Sequence, residues 1–283
     1  MRLDRTGPGT KLTVALALVA VVAVVPQFVV GQDPAGEIPV LSASQSQASS
    51  LSDPTAPVWN DAATVTVPLS SAPSNAPNAN DTSIERMNVQ TARSEGTLFV
   101  RLTWSDATED GNVTPSQYET PRTTSFGDAV AVQFPANASA EPGIAMGGPN
   151  AMVNLWWWNG AQGDEELLAA GPGTSTRFPN ASVEANGTYR DGRWHVVFER
   201  KLPADADRRT DLDVNENVNV AFAVWNGSNA ERAGRKSVSD WQYLPFGPEP
   251  EGPPYQTILW TIAGIAIVVV VAVSAMAVQR GGS

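Results

Sequence analysis

Hydrophobic and polar residues alternate along the middle of this chain in short runs that are rich in valine and aromatic side chains. An apolar residue at every second position predicts a β-strand with one buried face. The alternation is clearest at Leu98, Val100, Leu102 and Trp104, and again at Trp194, Val196 and Phe198. The same pattern predicts strands at residues 64–69, 84–92, 97–104, 129–134, 152–158, 182–189, 194–201 and 217–225.

These eight strands are separated by Gly, Pro, Asn and Asp, and no long stretch between them has a helical period. The pair Asp191-Gly192, between two of the strands, is typical of a hairpin turn. The pattern therefore predicts an all-β fold, an antiparallel β-sandwich, over residues 55–247.

The two ends of the chain are apolar and predict membrane-related segments. Residues 1–31 carry an apolar run behind Arg2, Arg5 and Lys11, which is typical of a signal peptide or signal anchor. Residues 258–278 are 21 positions without a charge, enough for a transmembrane helix. We predict a flexible linker at residues 32–54, a Pro-rich stalk at 248–257 and a cytoplasmic tail at 279–283. The sandwich would then be an extracytoplasmic domain held at the cell membrane.

Composition narrows the function classes. Residues 32–257 hold 28 acidic and 14 basic residues, and such a negative surface disfavours nucleic acid as a partner. The excess of carboxylates and the preference for arginine over lysine indicate a halophilic source. The chain has no cysteine, which excludes disulfides and iron–sulfur clusters, and His195 is its only histidine. No arrangement of residues for hydrolytic chemistry stands out.

Two segments are suited to presenting one side chain each. Met146 lies among Gly143, Gly147 and Gly148, where the backbone can approach a flat group closely. Lys236 follows a glycine-containing loop and precedes an aromatic segment. Residues 32–257 contain one other lysine, Lys201, which sits at a strand end where a solvated charge is expected.

These two segments, together with residues 59–62 and 192–198, resemble the haem b subunit of ethylbenzene dehydrogenase and dimethyl-sulfide dehydrogenase. The resemblance covers about residues 55–245. It implies that Met146 and Lys236 are the axial ligands of a single haem b, and that the chain is an electron-transfer subunit and not a catalyst by itself. It also implies partners, namely an iron–sulfur subunit and a molybdenum-cofactor subunit of an oxidoreductase complex. The membrane span departs from the soluble members of that family.

Other interpretations stay open at this point. Met152 is the alternative thioether ligand, and Met87 lies in a strand context. His195 alternates with an apolar face and is expected to point outward, away from the core. The residues Trp156, Trp157 and Trp158 cannot all face one side of a strand. The alternative function is a non-haem β-sandwich that binds carbohydrate or acts as a surface adhesin; a haem sensor or carrier is a third.

Overall fold

The alternating strands pair into two sheets in the computed structural model, which describes residues 36–111, 126–137, 146–204, 206–213 and 215–246. The strands are β1 (Val40–Ser42), β2 (Val65–Pro68), β3 (Ser70–Ser71), β4 (Arg86–Ser94), β5 (Thr97–Ser105), β6 (Ala129–Pro135), β7 (Val153–Asn159), β8 (Gly163–Ala169), β9 (Thr176–Arg177), β10 (Val183–Arg190), β11 (Arg193–Lys201), β12 (Val218–Trp225), β13 (Ser237–Val238) and β14 (Gln242–Leu244). A short α-helix, α1 (Gln45–Leu51), and a 3₁₀ helix (Pro57–Asp61) precede β2.

Sheet 1 has six strands in the order β1-β4-β5-β11-β10, with β2 also paired to β4. Sheet 2 has eight strands in the order β3-β13-β12-β6-β7-β8-β9, with β14 also paired to β12. The pairings are antiparallel except for β1 with β4. This confirms the predicted antiparallel sandwich, and each of the eight predicted strands is present with small shifts at its ends.

The core lies between the inner faces of the two sheets, where alternate residues of each strand meet. Sheet 1 contributes the predicted alternating runs of β5 and β11, and these side chains are at most 3% exposed. Sheet 2 contributes the alternate positions of three central strands, namely Val130, Val132, Phe134, Trp156, Trp158, Val220, Phe222 and Val224. Since successive side chains of a strand point to opposite faces, the residues between these positions face away from the core.

The predicted hairpin is also confirmed. Asp191 and Gly192 connect β10 to β11 with φ angles of 52° and 72°. Both angles lie in the left-handed region that a two-residue hairpin turn of this kind requires.

The described part of the segment before β2 is ordered, which differs from the prediction of a flexible linker. Residues 32–54 were predicted as a flexible linker, yet β1 pairs with β4, and α1 places Leu51 at 0% exposure in a second apolar cluster. The outer face of sheet 1 carries Ala92 and Phe99, which need cover from water, and the segment from α1 to the 3₁₀ helix provides it. A few apolar residues are sufficient for this, although the composition is dominated by Ser, Ala and Gln.

The predicted signal segment (1–31), stalk (248–257), transmembrane helix (258–278) and tail (279–283) lie outside the described residues. None of the helices in the described part of the chain combines the length and the apolar character needed to cross a membrane.

Candidate functional site

A cavity of about 1060 Å³ opens on the outer face of sheet 2, on the side away from the core. Its floor is formed by the outward-facing positions of three adjacent strands. Small residues occupy the middle of this floor, with Ala129 and Ala131 on β6 and Ala221 and Ala223 on β12. Ala131 pairs directly with Ala223, whereas Ala129 pairs with Trp225 and Ala221 with Gln133. The four alanines leave a flat, apolar patch because their side chains end at Cβ.

The walls of the cavity come from four loops and from large side chains at the strand ends. Loop residues 72–76, 172–173, 175, 231–234 and 236 border it, as does Met146. The aromatic residues whose side chains face the cavity are Phe126, Trp157 and Trp225. Trp157 faces the cavity, whereas Trp156 and Trp158 lie in the core, so the three tryptophans are divided between the two faces as predicted. The result is an apolar, flat-floored cavity with a few polar groups at its border.

Met146 reaches the cavity from a tight turn. Its φ is 64°, Gly147 follows with φ 73°, and the turn closes through paired backbone hydrogen bonds between Gly148 and Ala151 of 3.0 and 3.1 Å. A Cβ on Gly147 would lie 2.4 Å from the carbonyl oxygen of Ala151, so only glycine fits there. The half-buried Met146 side chain packs on a small cluster that includes Val153 and therefore sits on the outer face of sheet 2.

Lys236 lines the same cavity from the loop between β12 and β13. It is 7% exposed, and its Nζ lies 4.9 Å from the centroid of the Trp225 ring. Its carbonyl oxygen accepts a 2.9 Å hydrogen bond from Ala72 N, which fixes the backbone. Burial lowers the pKa of Lys236 from its ordinary 10.5 to about 8. Among the described residues, no carboxylate forms an ion pair with it.

The loop that carries Lys236 is held by a buried carboxylate. Glu231 is 1% exposed, and its Oε1 accepts hydrogen bonds from Ser83 N (2.8 Å), Ser83 Oγ (3.0 Å) and Asn229 Nδ2 (3.0 Å). Its Oε2 accepts a 3.1 Å bond from Asn226 N. Trp225 Nε1 donates to the Ala233 carbonyl at 3.2 Å and closes the other side of the loop. These contacts position the loop before any ligand binds.

The alternative candidates lie elsewhere. Met87 is buried in the inter-sheet core, and Met152 does not line the cavity. Lys201 is exposed at the end of β11. His195 faces away from the core on sheet 1, as predicted, where its Nδ1 lies 3.0 Å from an Arg101 guanidinium nitrogen. Of the methionines and lysines that the structure describes, Met146 and Lys236 are the two that line the cavity.

Some residues of the site have no counterpart in the sequence predictions. Among these are the alanine floor, Glu231 and Arg232. The floor had a signal in the sequence, because alanine occupies alternate positions at the start of β6 (Ala129, Ala131) and in the middle of β12 (Ala221, Ala223). Glu231 and Arg232 belong to the Lys236 segment that resembles the family, but a charged pair in a polar loop is ordinary and gave no sign of their roles.

Comparison with known proteins shows the family to which the chain belongs. The chain matches the ethylbenzene dehydrogenase family model over residues 56–180 and 176–237. It belongs to that family, which confirms the resemblance of the sequence segments. It is 49% identical over 272 residues to the "Putative respiratory nitrate reductase heme subunit ORF7" of Haloferax mediterranei, covering 95% of this chain and 94% of that protein.

Two further relatives carry related names. The chlorate reductase subunit gamma of Ideonella dechloratans is 34% identical, with 74% of this chain and 84% of that protein covered. The dimethylsulfide dehydrogenase subunit gamma of Rhodovulum sulfidophilum is 31% identical, with 57% and 60% covered. Among solved structures, a family 9 carbohydrate-binding module from Caldicellulosiruptor kristjanssonii is similar with a TM-score of 0.43 at 10% identity, over 77% of this chain and 100% of the module.

Proposed function

We propose that this chain is a membrane-anchored, extracytoplasmic electron-transfer subunit that holds one haem b between Met146 and Lys236. The observation that carries the proposal is that these two residues, far apart in the sequence, line the same cavity. The cavity volume of about 1060 Å³ is slightly above the roughly 300–1,000 Å³ typical of cofactor sites.

The residues present suit a flat iron porphyrin. The alanine floor offers a broad apolar surface, and the indole rings of Trp157 and Trp225 border it. A haem bound here would supply one-electron redox chemistry at its iron. Met146 would supply a soft thioether, which favours ferrous iron and raises the potential.

Lysine can ligate a metal only as the neutral amine. The burial of Lys236 already favours that form, because it lowers the pKa of the amine to about 8 before any metal charge is added. The ring of Trp225 holds the side chain against the cavity wall. The lysine is therefore prepared for ligation at a smaller cost than a solvated lysine would incur.

The relatives indicate the partners. Their names describe subunits of a respiratory nitrate reductase, a chlorate reductase and a dimethylsulfide dehydrogenase. From this relationship we infer that a molybdenum-cofactor subunit carries out the catalytic step and that an iron–sulfur subunit relays electrons. This chain then completes the electron-transfer chain of the complex. Residues 258–278, with the apolar segment within residues 1–31, would keep it at the membrane.

The test is an absorption spectrum of the full-length chain, purified in detergent and supplied with haem. We expect a Soret band that shifts on reduction, with the pattern of a low-spin iron. Lys236→Ala and Met146→Leu should each abolish the low-spin pattern, because each removes one ligand. The matched controls Lys201→Ala and Met152→Leu should leave it unchanged.

A chain that takes up no haem would contradict the proposal and favour the carbohydrate-binding or adhesive alternative. Haem uptake with a low-spin spectrum that survives Lys236→Ala would reject the ligand assignment while keeping the cytochrome.

A further inference from the structure

Arg232 is an exposed cation at the border of the cavity, and no acidic residue within the described part of the chain forms an ion pair with it. The charged lining residues of the cavity are Glu231, Arg232 and Lys236. Glu231 already accepts four hydrogen bonds, from Ser83, Asn226 and Asn229, so its carboxylate is not directed to Arg232.

The position of Arg232 is defined by its backbone and by one aromatic ring. Its carbonyl oxygen accepts a 2.9 Å hydrogen bond from Arg235 N, which closes a tight turn, and Ala233 within that turn has φ 50°. The guanidinium carbon lies 4.7 Å from the centroid of the Phe126 ring, and Phe126 also lines the cavity. A guanidinium stacked on a ring keeps its N–H edge free to donate.

We propose that Arg232 binds a carboxylate of the molecule held in the cavity, which for haem is a propionate. This rests on the proposed function and adds to it the orientation of the cofactor, with its carboxylate edge at the border formed by Phe126 and Arg232. Arginine is suited to the role because its planar fork pairs with both oxygens of a carboxylate. Lys236 is not suited to binding the carboxylate, because its amine is buried against Trp225 and is the proposed ligand of the iron.

The test compares haem with haem dimethyl ester, which has the same ring and iron but no free carboxylate. Both are titrated into the full-length apoprotein in detergent, as wild type, Arg232→Gln and Arg232→Lys. Charge-assisted hydrogen bonds of this kind suggest a loss of about tenfold to a hundredfold in haem affinity for Arg232→Gln. The affinity for the ester should be the same in wild type and Arg232→Gln, and Arg232→Lys should be intermediate for haem.

The matched control is Arg93→Gln, another exposed arginine that lies over a phenylalanine ring (Phe246, 6.0 Å) but outside the cavity lining. It should bind haem and ester as the wild type does. The band positions of bound haem should stay unchanged in Arg232→Gln, because the axial ligands are intact.

The inference is overturned if Arg232→Gln binds haem as tightly as the wild type, or if it weakens haem and ester equally. In either case the proposed function is retained if the wild type shows a low-spin haem spectrum that is lost in Lys236→Ala. A wild-type chain that takes up no haem overturns both.

Discussion

The Nζ of Lys236 lies 4.9 Å from the centroid of the Trp225 ring, although ten residues of loop separate the two along the chain. Trp225 ends β12, and its indole N–H donates to Ala233 in that same loop. The ring thus holds both the loop and the amine that the loop delivers. This contact keeps Lys236 out of water and directs it along the cavity wall.

The burial of Lys236 has a measurable consequence for the haem-free protein. Its pKa in the folded state is about 8, against 10.5 ordinarily, so the unfolded chain binds more protons between these values. The free energy of unfolding should therefore rise with pH across that range. The cost of burying the charged amine is about 3 kcal/mol at pH 7 and under about 1 kcal/mol at pH 10.

Urea unfolding of wild type and Lys236→Met at pH 7 and pH 10 measures this. Lys236→Met should be more stable than the wild type at pH 7, and the difference should shrink at pH 10. Lys201→Met, at an exposed site, should show no such change. Equal pH dependence in wild type and Lys236→Met would show that the amine is not buried.

Two adjacent glycines provide a second test, on the turn that presents Met146. Gly147→Ala should strain the backbone by about 1–3 kcal/mol, because its φ is 73° and the new Cβ would meet the Ala151 carbonyl. Gly148→Ala should be tolerated, since nothing lies within 4 Å of a Cβ there. We expect about tenfold weaker haem uptake and a diminished low-spin spectrum for the first variant alone. Equal spectra would mean that the turn does not position the thioether.

The long strands were predictable because burial of one face requires an apolar residue at every second position. β8 (Gly163–Ala169) was not, because it contains Asp164, Glu165 and Glu166 in succession. Glu166 is nevertheless 0% exposed and points inward, where Arg209 Nε donates to it at 3.0 Å and Ser182 N at 2.9 Å. A carboxylate buried by its partners cannot be recognised from hydropathy, because those partners are distant in the sequence.

The candidate site was predictable in part, and for a different reason. The glycines near Met146 and the loop before Lys236 indicated that each side chain is presented, but the assignment of both as haem ligands came from the resemblance of their segments to a family. Their presence in one cavity depends on β12 pairing with β6 and β6 with β7, which is a property of the whole sheet. The alanines of the floor could have been recognised from their period of two, had small residues been considered as a cofactor surface.

The loop carrying Lys236 should depend on Glu231. Glu231→Gln keeps the size of the side chain but replaces one acceptor oxygen with a donor, which then opposes a backbone N–H of Ser83 or Asn226. Lost hydrogen bonds to a buried charged group predict a fall of about 2–3 kcal/mol in the free energy of unfolding, with weaker haem uptake. Glu184→Gln, at an exposed position of β10, should change stability by less than about 0.5 kcal/mol. A stable Glu231→Gln variant with normal haem affinity would show that this carboxylate does not hold the loop.

The last prediction concerns Asp106, which follows β5 and is 4% exposed. Within the part of the chain that the structure describes, its Oδ2 is buried without a hydrogen-bond partner. Burial first, and the nearby Asp128 carboxylate second, raise the pKa of Asp106 to about 6 from 3.8. The folded state therefore binds more protons between these values, so stability falls as pH rises from about 4 to 6. Above pH 6 the folded chain carries the whole cost of the buried charge, about 3 kcal/mol.

Asp106→Asn removes that charge while preserving the shape of the side chain. The variant should exceed the wild type in free energy of unfolding by about 3 kcal/mol at pH 7.5, and by about half as much at pH 5. Asp164→Asn, at an exposed position of β8, should behave as the wild type at both values. The contrary result is a difference in free energy of unfolding between Asp106→Asn and the wild type that is the same at pH 5 and pH 7.5. It would show that the Asp106 carboxyl does not titrate between these pH values. The burial of Asp106 would then not be the cause of the pH dependence of stability.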